Sequence, residues 1–541
     1  MKLHVHLSSD WILDTEMREY RPRETVDFCI VGTGAGGGVL AQRLARAGFS
    51  VVALEAGQWH DSERDMVSDE AGSARLYWND LRITGGADPL ELGANNSGKG
   101  VGGSTVHYAG FCPRLHPSDF HVRTRDGVAA DWPISYEEIE PYYAQMEREY
   151  PVSGPARFPW GKPHGYPYAP LQAGTAGQML IQGCTRLGIP VVAGGPVAIP
   201  AGRFGKRPHC IMRGFCLLGC KVGAKSSIHL SHIPDAIANG AEIRTGCMAR
   251  EIPTDESGRA TGVRYYRTLE NGHVLEEEQR ARAVIVAGYA IETPRLLLNS
   301  ATAAFPDGLA NSSGLLGRNL MTQSNQAVWG VLDQEVRSYK GPPSLAITEH
   351  WNYDDRKDFF GGYCYMSQGP LPQLWSNTQM SARGLWGERL IREMGKYNHQ
   401  VGLKIVGEML PQECNRVTLT DERDQYGLPV PRITYSWCDN DKRLIDHALR
   451  FMTQALQAID AREIWTQDDD TCHLAGTARM GFDRESSVVD ADCRSWDIRN
   501  LWICDGSVFP TGGGVNPSLT IQAIACRTGD RIKAMAARGE L

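Results

Sequence analysis

The 541-residue chain has no apolar run long enough to cross a bilayer, and its opening segment, MKLHVHLSSDWILDTEMREYRPRET, has neither a continuous apolar core nor a twin-arginine pair. The expectation is a chain with no membrane span and no export signal of its own. Runs of like charge are missing too: 56 basic and 63 acidic residues are interspersed and leave a net charge of −7. That balance argues against a nucleic-acid surface or a basic membrane patch and suits a small or neutral substrate. There are no internal repeats and no low-complexity linkers, so the domains that this length allows are expected to interleave. The 14 cysteines are too dispersed for a disulfide framework, and Cys29, inside an apolar run, reads as a small buried residue. Only Cys210, Cys216 and Cys220 form a dense group.

What the chain does have is glycine, 59 residues of it, and one cluster is informative at once. From Asp27 to Gly57 the chain reads DFCIVGTGAGGGVLAQRLARAGFSVVALEAG: an apolar strand, a glycine turn, an amphipathic helix and a second strand ending in an acid. This is the order of a dinucleotide-binding βαβ unit. Gly32 permits the tight turn, Gly34 lets the backbone approach a pyrophosphate, and Gly37 lets helix and strand pack closely. Glu55 falls where a carboxylate would hold a ribose hydroxyl pair. A ligand-free turn would need none of these parts in register, so the unit is read as a nucleotide site, with the identity of the dinucleotide open at this point.

Two later runs, AVIVAGYA (283–290) and NLWICDG (500–506), read as buried parallel strands of the same sheet. Between the first two strand regions, WPISYEEIEPYYAQMEREY (132–150) predicts a helix opened by a capping box of Ser135 and Glu138. The stretch from Val331 to Trp437, with HQVGLKIVGEML and RVTLT, has the alternation of an antiparallel sheet. The fold class is therefore α/β, a Rossmann-like core carrying an α+β substrate domain built on an antiparallel sheet. A tryptophan segment within that stretch, GPLPQLWSN (369–377), reads equally as a sugar-stacking surface or as core.

Three further segments carry candidate chemistry. In SGKGVGGSTVHYAGFCPR (97–114), Gly100, Gly102 and Gly103 give a ligand close access to the backbone, followed by Ser104, Thr105 and His107. DTCHLAGTARMG (470–481) holds His473, whose neutral imidazole can take a proton near pH 7. GSVFPTGGGVNPSLTIQAIA (506–525) holds Asn516, able to hold a hydroxyl without competing for its proton. Taken alone, each of these residues reads more simply as structural.

Together the segments resemble the glucose–methanol–choline (GMC) oxidoreductases over nearly the whole chain. The resemblance is carried by the Gly32–Glu55 unit, KGVGGSTVHYAG, WPISYEEIEPYY, VIVAGYAIETPRLLLNS, LLGRNLM, ECNRVTLT, the loop around His473 and CDGSVFPTGGGVNPSLTIQA. It implies FAD rather than a nicotinamide, held by the first turn, by Gly102, Gly103, Ser104 and His107, and by the segment after Asp505. It implies a discontinuous FAD domain (25–125, 226–329 and 465–541) and a substrate domain (126–225 and 330–464). His473 maps to the family's catalytic histidine, and Asn516 fills a second catalytic position that is histidine or asparagine. Some relatives join the flavin to a histidine four residues after a Gly-Gly pair, as His107 stands after Gly103, while others keep that histidine without the bond. The resemblance leaves covalent attachment open.

PHCIMRGFCLLGCKVGAKSS (208–227) sets Cys210, Cys216 and Cys220 in a C-x5-C-x3-C pattern. Zinc wants a fourth ligand and His209 is poorly placed to be one, whereas a three-iron cluster needs three thiolates. The spacing is similar to that in the catalytic subunits of bacterial sugar, gluconate and fructose dehydrogenases, which implies a [3Fe–4S] cluster, a small signal-bearing subunit and a cytochrome partner. Relatives without a cluster also keep glycine and cysteine in this loop, so packed thiols are the alternative. The expected activity is oxidation of a sugar, sugar-acid or polyol hydroxyl with electrons passed to a cluster, quinone or cytochrome. A peroxide-forming oxidase and a flavin-bound hydroxynitrile lyase-like enzyme are the competing readings. The expected location is cytoplasmic, or periplasmic by co-export with a partner subunit.

Overall fold

The computed structural model describes residues 2–8, 11–67, 69–92, 97–343, 345–352, 357–468 and 471–541. Its organising element is a 13-residue strand, Val274–Val286, that belongs to two kinds of sheet at once. Its C-terminal half, alternating into apolar Val284, Ile285 and Val286, runs parallel to Val26–Val31 on one side and to Leu501–Ile503 on the other. Val51–Leu54 and Glu242–Arg244 extend this parallel layer, whose central side chains are fully buried. The N-terminal half, VLEEEQR, is polar, and it leaves the core to pair antiparallel with Gly262–Thr268, which in turn pairs with Cys247–Glu251. Both expected core runs are strands here. The first stops at Val286, and Tyr289 already opens the helix Tyr289–Asn299.

Close packing of the first helix, Gly37–Arg46, depends on missing side chains. A Cβ on Gly37 would lie 2.0 Å from the Gly32 carbonyl oxygen, and one on Gly36 would lie 2.0 Å from the Cys504 carbonyl oxygen. Gly38 meets Ile228 of the helix Ile228–Ala238, and Gly529 of the helix Ser518–Ala537 meets Arg43 and Leu40. The three helices thus cover one face of the parallel layer at glycine contacts.

The second large sheet is antiparallel. Its strands run in the order Arg462–Gln467, Ala327–Val331, Gln400–Glu408, Tyr363–Gln368, Ala346–Thr348 and Val192–Ala193, with Met321–Ser324 bridging Gln400–Glu408 and Cys472–Ala475. The HQVGLKIVGEML run lies in it, as its alternation predicts. RVTLT does not: Arg416–Arg423 belongs to a separate three-stranded sheet with Pro429–Thr434 and Ile83–Gly85. Alternation reports a one-sided strand but carries no information about which sheet it joins. Trp375 is fully buried against Trp329, with ring centroids 4.6 Å apart, so it is core and not a sugar platform.

The helix Tyr136–Glu149 opens as expected, with the Ser135 hydroxyl accepting from the Glu138 N–H. The other half of the capping box is replaced, because the Glu138 carboxylate reaches instead to Arg527 and Arg531 of the last helix. Among the described residues no helix is long and apolar enough to cross a membrane.

Gly36→Ala is expected to destabilise the fold by about 3 kcal/mol, since its new methyl meets rigid backbone with nowhere to relax. Chemical denaturation of the variant beside the parent chain checks this; equal midpoints would contradict the packing described.

Candidate functional site

A large cavity runs from the C-terminal ends of the parallel strands to the face of the antiparallel sheet. At its inner end the chain turns sharply at Gly32, whose φ of +93° and contact with the Ala287 carbonyl exclude any side chain. Two steps on, a Cβ on Gly34 would meet only the Gly103 Cα, at 3.9 Å. Gly103 comes up against this turn, where a Cβ on it would lie 2.9 Å from the Gly34 Cα, so Gly34 and Gly103 present bare backbone side by side in the cavity wall. Bare backbone of this kind lets a pyrophosphate approach closely. Ser104 lines the same cavity and its hydroxyl accepts from the Gly98 N–H at 3.0 Å. Gly102 does not line it, because Gly102 packs on His229. Gly37 likewise serves packing alone.

Glu55 lies in the cavity wall, but its oxygens are already engaged. One accepts from the Thr33 N–H and hydroxyl, at 3.1 and 2.7 Å, and the other accepts from the Gly57 N–H at 3.0 Å. The acid therefore ties the glycine turn to the end of the second strand. Burial pushes its carboxyl above the usual range, against these hydrogen bonds that pull it down. Asp505 plays a similar part: it accepts from the Tyr289 N–H at 2.8 Å, the Thr293 hydroxyl at 2.6 Å and the Ser507 N–H at 2.7 Å. It welds the start of one helix to the turn that follows the last strand.

His107 is 3% exposed, and among the described residues neither ring nitrogen has a hydrogen-bond partner. Its ring meets Tyr77 edge-on at 4.8 Å and lines the cavity. Burial first, and then the nearby Lys225 ammonium, pull its pKa down to about 3, so the ring is neutral across the working range. Lys225 was not singled out in the sequence, yet it organises this loop. Its buried ammonium donates to the carbonyls of Val106, Tyr108 and Cys216 at 2.8, 2.7 and 2.7 Å, clamping both residues that flank His107. Burial pulls Lys225 down to about 8, which leaves it charged at neutral pH. A lysine among small residues in CKVGAKSS offers no signal of this role.

The three cysteines lie near one another around the same clamp, and the Cys216 thiol feels both Cys210 and Cys220. Cys210 Sγ accepts from the Met212 N–H of its own loop, and Cys220 Sγ accepts from the Lys225 N–H, both at 3.4 Å. Burial pushes the Cys216 thiol up to about 12. Among the described residues no group of three His, Cys, Asp or Glu side chains could hold a metal ion. No contact of Cys210, Cys216 or Cys220 calls for a [3Fe–4S] cluster, and packed thiols account for those they make.

At the outer end of the cavity, His473 and Asn516 meet. Asn516 Nδ2 lies 3.2 Å from His473 Nε2, although the residues come from different elements. The strand Cys472–Ala475 bulges against its partner, with Ala475 opposite Met321 and Cys472 opposite Gln323. The extra residue lies between them, and His473 takes it up with a φ of +55°. Such a bulge re-aims a side chain, and here it turns the imidazole toward the cavity. Asn516 sits one residue before Pro517, the N-cap of the helix Ser518–Ala537.

The GMC oxidoreductase family profiles match residues 91–325 and 411–525 of this chain. A 2-methyl-1,2-propanediol dehydrogenase of Mycolicibacterium austroafricanum is 34% identical over 94% of this chain and 95% of its own. The chain belongs to the GMC oxidoreductase family. A fructose dehydrogenase large subunit of Gluconobacter japonicus is 29% identical over 94% and 98% of the two chains. The formate oxidase of Aspergillus oryzae superimposes with a TM-score of 0.68 at 16% identity, covering 96% of this chain and all of that one, and so shares the fold. GMC membership makes this an FAD-dependent oxidoreductase acting on CH–OH groups, with both dehydrogenases and oxidases among its relatives.

The cavity of this GMC protein fits FAD on its own evidence: bare backbone at Gly34 and Gly103, and the orphaned nitrogens of His107. Gly34→Ala adds a methyl to open space and is expected to leave the unfolding midpoint unchanged while reducing bound FAD at least about tenfold through steric conflict with the phosphates. Flavin absorbance per mole of purified protein checks it, and full occupancy would overturn the fit.

Proposed function

We propose that this GMC oxidoreductase is a dehydrogenase of a sugar, sugar-acid or polyol hydroxyl. The observation that carries the reading is the 3.2 Å contact between Asn516 Nδ2 and His473 Nε2. The Asn516 amide N–H donates to His473 Nε2, which keeps that nitrogen unprotonated, the form a general base requires, with its lone pair held by Asn516 until a substrate hydroxyl takes its place. His473 takes the hydroxyl proton at Nε2. Asn516 holds the same hydroxyl oxygen with its side chain and, being neutral at every working pH, does not compete for the proton. FAD, when bound, would supply the two-electron acceptor for the carbon-bound hydrogen. Gly32, Gly34, Gly103, Ser104 and the segment after Asp505 hold the cofactor, with Glu55 and Asp505 bracing those segments. The FAD-binding part is 25–125, 226–329 and 465–541, and the substrate-binding part is the remainder from 126 to 464.

Support for a polyhydroxylated or acidic substrate comes from Gln368 and Lys404, which line the cavity from neighbouring antiparallel strands and offer an amide and an ammonium to hydroxyl or carboxylate groups. Likeness to the fructose dehydrogenase large subunit and to a gluconate 2-dehydrogenase flavoprotein supports electron transfer to a quinone or cytochrome, with a small signal-bearing subunit and periplasmic placement as one arrangement and a cytoplasmic enzyme as the other. A paromamine 6'-oxidase of similar sequence favours the second reading, an oxidase making peroxide.

Anaerobic mixing of the FAD-loaded protein with fructose, gluconate and 2-methyl-1,2-propanediol tests the activity, and flavin bleaching is the expected result. The electron acceptor separates the two readings: fast reoxidation by an added quinone with only slow reoxidation in air marks the dehydrogenase, and fast reoxidation in air with one peroxide per flavin marks the oxidase. His473→Ala is expected to stay folded and yellow but to reduce its flavin roughly 10²–10⁴-fold more slowly. A near-normal rate in that variant would remove His473 from the role.

A further inference from the structure

The loop that delivers Asn516, Thr511-Gly-Gly-Gly-Val-Asn516, has three consecutive glycines and no secondary structure of its own. Such a segment has the greatest conformational entropy to lose, so something must hold it if Asn516 is to meet His473. Two side chains of the antiparallel sheet do. Gln323 Nε2 donates toward the carbonyls of Gly512, Gly513 and Val515, at 3.2, 2.6 and 2.8 Å. Glu408 Oε1 accepts from the Gly513 N–H at 3.0 Å. Gln323 and Glu408 are register partners on adjacent strands, so both project from the same face of the sheet onto the loop. Gln323 is also the register partner of Cys472, the residue before His473. They are 2% and 3% exposed, where polar side chains are retained only with partners to satisfy.

We infer that Gln323 and Glu408 are positioning residues for the reaction: a pair that grips the glycine loop from both its carbonyl and its N–H side and locks Asn516 onto His473. One strand, Met321–Ser324, thereby sets both halves of the site, His473 through its backbone ladder and Asn516 through the Gln323 amide. The inference rests on the reading of Asn516 as the group that holds the substrate oxygen. The grip itself is a property of the protein without substrate.

Hydrogen exchange read by mass spectrometry on the FAD-loaded protein tests the grip directly. In Gln323→Met, which keeps the length and removes the donor, peptides spanning 511–517 should exchange about tenfold faster, with the rest of the antiparallel sheet and the FAD content unchanged. Glu408→Leu should do the same. Glu408→Gln, which restores an acceptor, should recover most of the loss. Burial and the nearby Asp119 carboxylate hold Glu408 above the usual carboxylate range, so the neutral amide is a close mimic. Unchanged exchange at 511–517 in Gln323→Met, or a rise spread over the whole sheet, would overturn the inference. Because exchange needs no substrate, its outcome is independent of whether any alcohol reduces the flavin. With an alcohol that does, the positioning role predicts a fall in kcat for flavin reduction with little change in KM, rescued in Glu408→Gln.

Discussion

Everything at this site depends on one close approach, where the first glycine turn is pressed against the carboxyl ends of two neighbouring strands. The carbonyls of Ala287 and Cys504 stand where Cβ atoms of Gly32 and Gly36 would be. Without that contact the first helix could not lie against the sheet, and the segments that begin at Tyr289 and Asp505 could not reach the cavity. Glu55 and Asp505, the two acids of this region, act on the contact and not at a distance from it. Each accepts three hydrogen bonds from the segments that it joins. Buried carboxylates are costly unless satisfied in this way, and satisfied they make a rigid joint.

The outer half of the cavity is built differently. The inner half is backbone against backbone, whereas His473 and Asn516 are brought together by a sheet whose own strands come from distant parts of the chain. The bulge at His473 costs backbone strain in a left-handed conformation, and the glycine loop at Asn516 costs entropy. Hydrogen bonding within the sheet offsets both. The charged clamp of Lys225 gives the third local solution, fixing the loop on either side of His107 through three main-chain carbonyls.

The parts that were legible in the sequence are those whose physics is local. A glycine turn between a strand and a helix, an apolar run in a buried strand, and Ser135 ahead of a helix each depend on neighbours a few residues away. What was hidden depends on register. RVTLT has the right alternation for the large sheet and joins another one, because pairing partners are chosen by tertiary packing. Gln323 is an unremarked polar residue until it is seen opposite both Glu408 and Cys472. Cys210, Cys216 and Cys220 have a spacing that suits a cluster, but spacing does not reveal that the loop gives two of them its own N–H groups as partners. His473 and Asn516 were picked out through a resemblance, since neither residue carries a sufficient signal alone.

The strand Val274–Val286 has a consequence for how the protein is made. Its parallel partner on one side, Val26–Val31, precedes it in the chain, but its partner on the other side, Leu501–Ile503, emerges from the ribosome only after more than two hundred further residues. During that interval Val284–Val286 present an open, apolar sheet edge, the kind of surface on which nascent chains associate wrongly. The segment that finally covers it also carries Asp505 and Asn516. Closing the vulnerable edge and completing the cavity are therefore a single late event of synthesis.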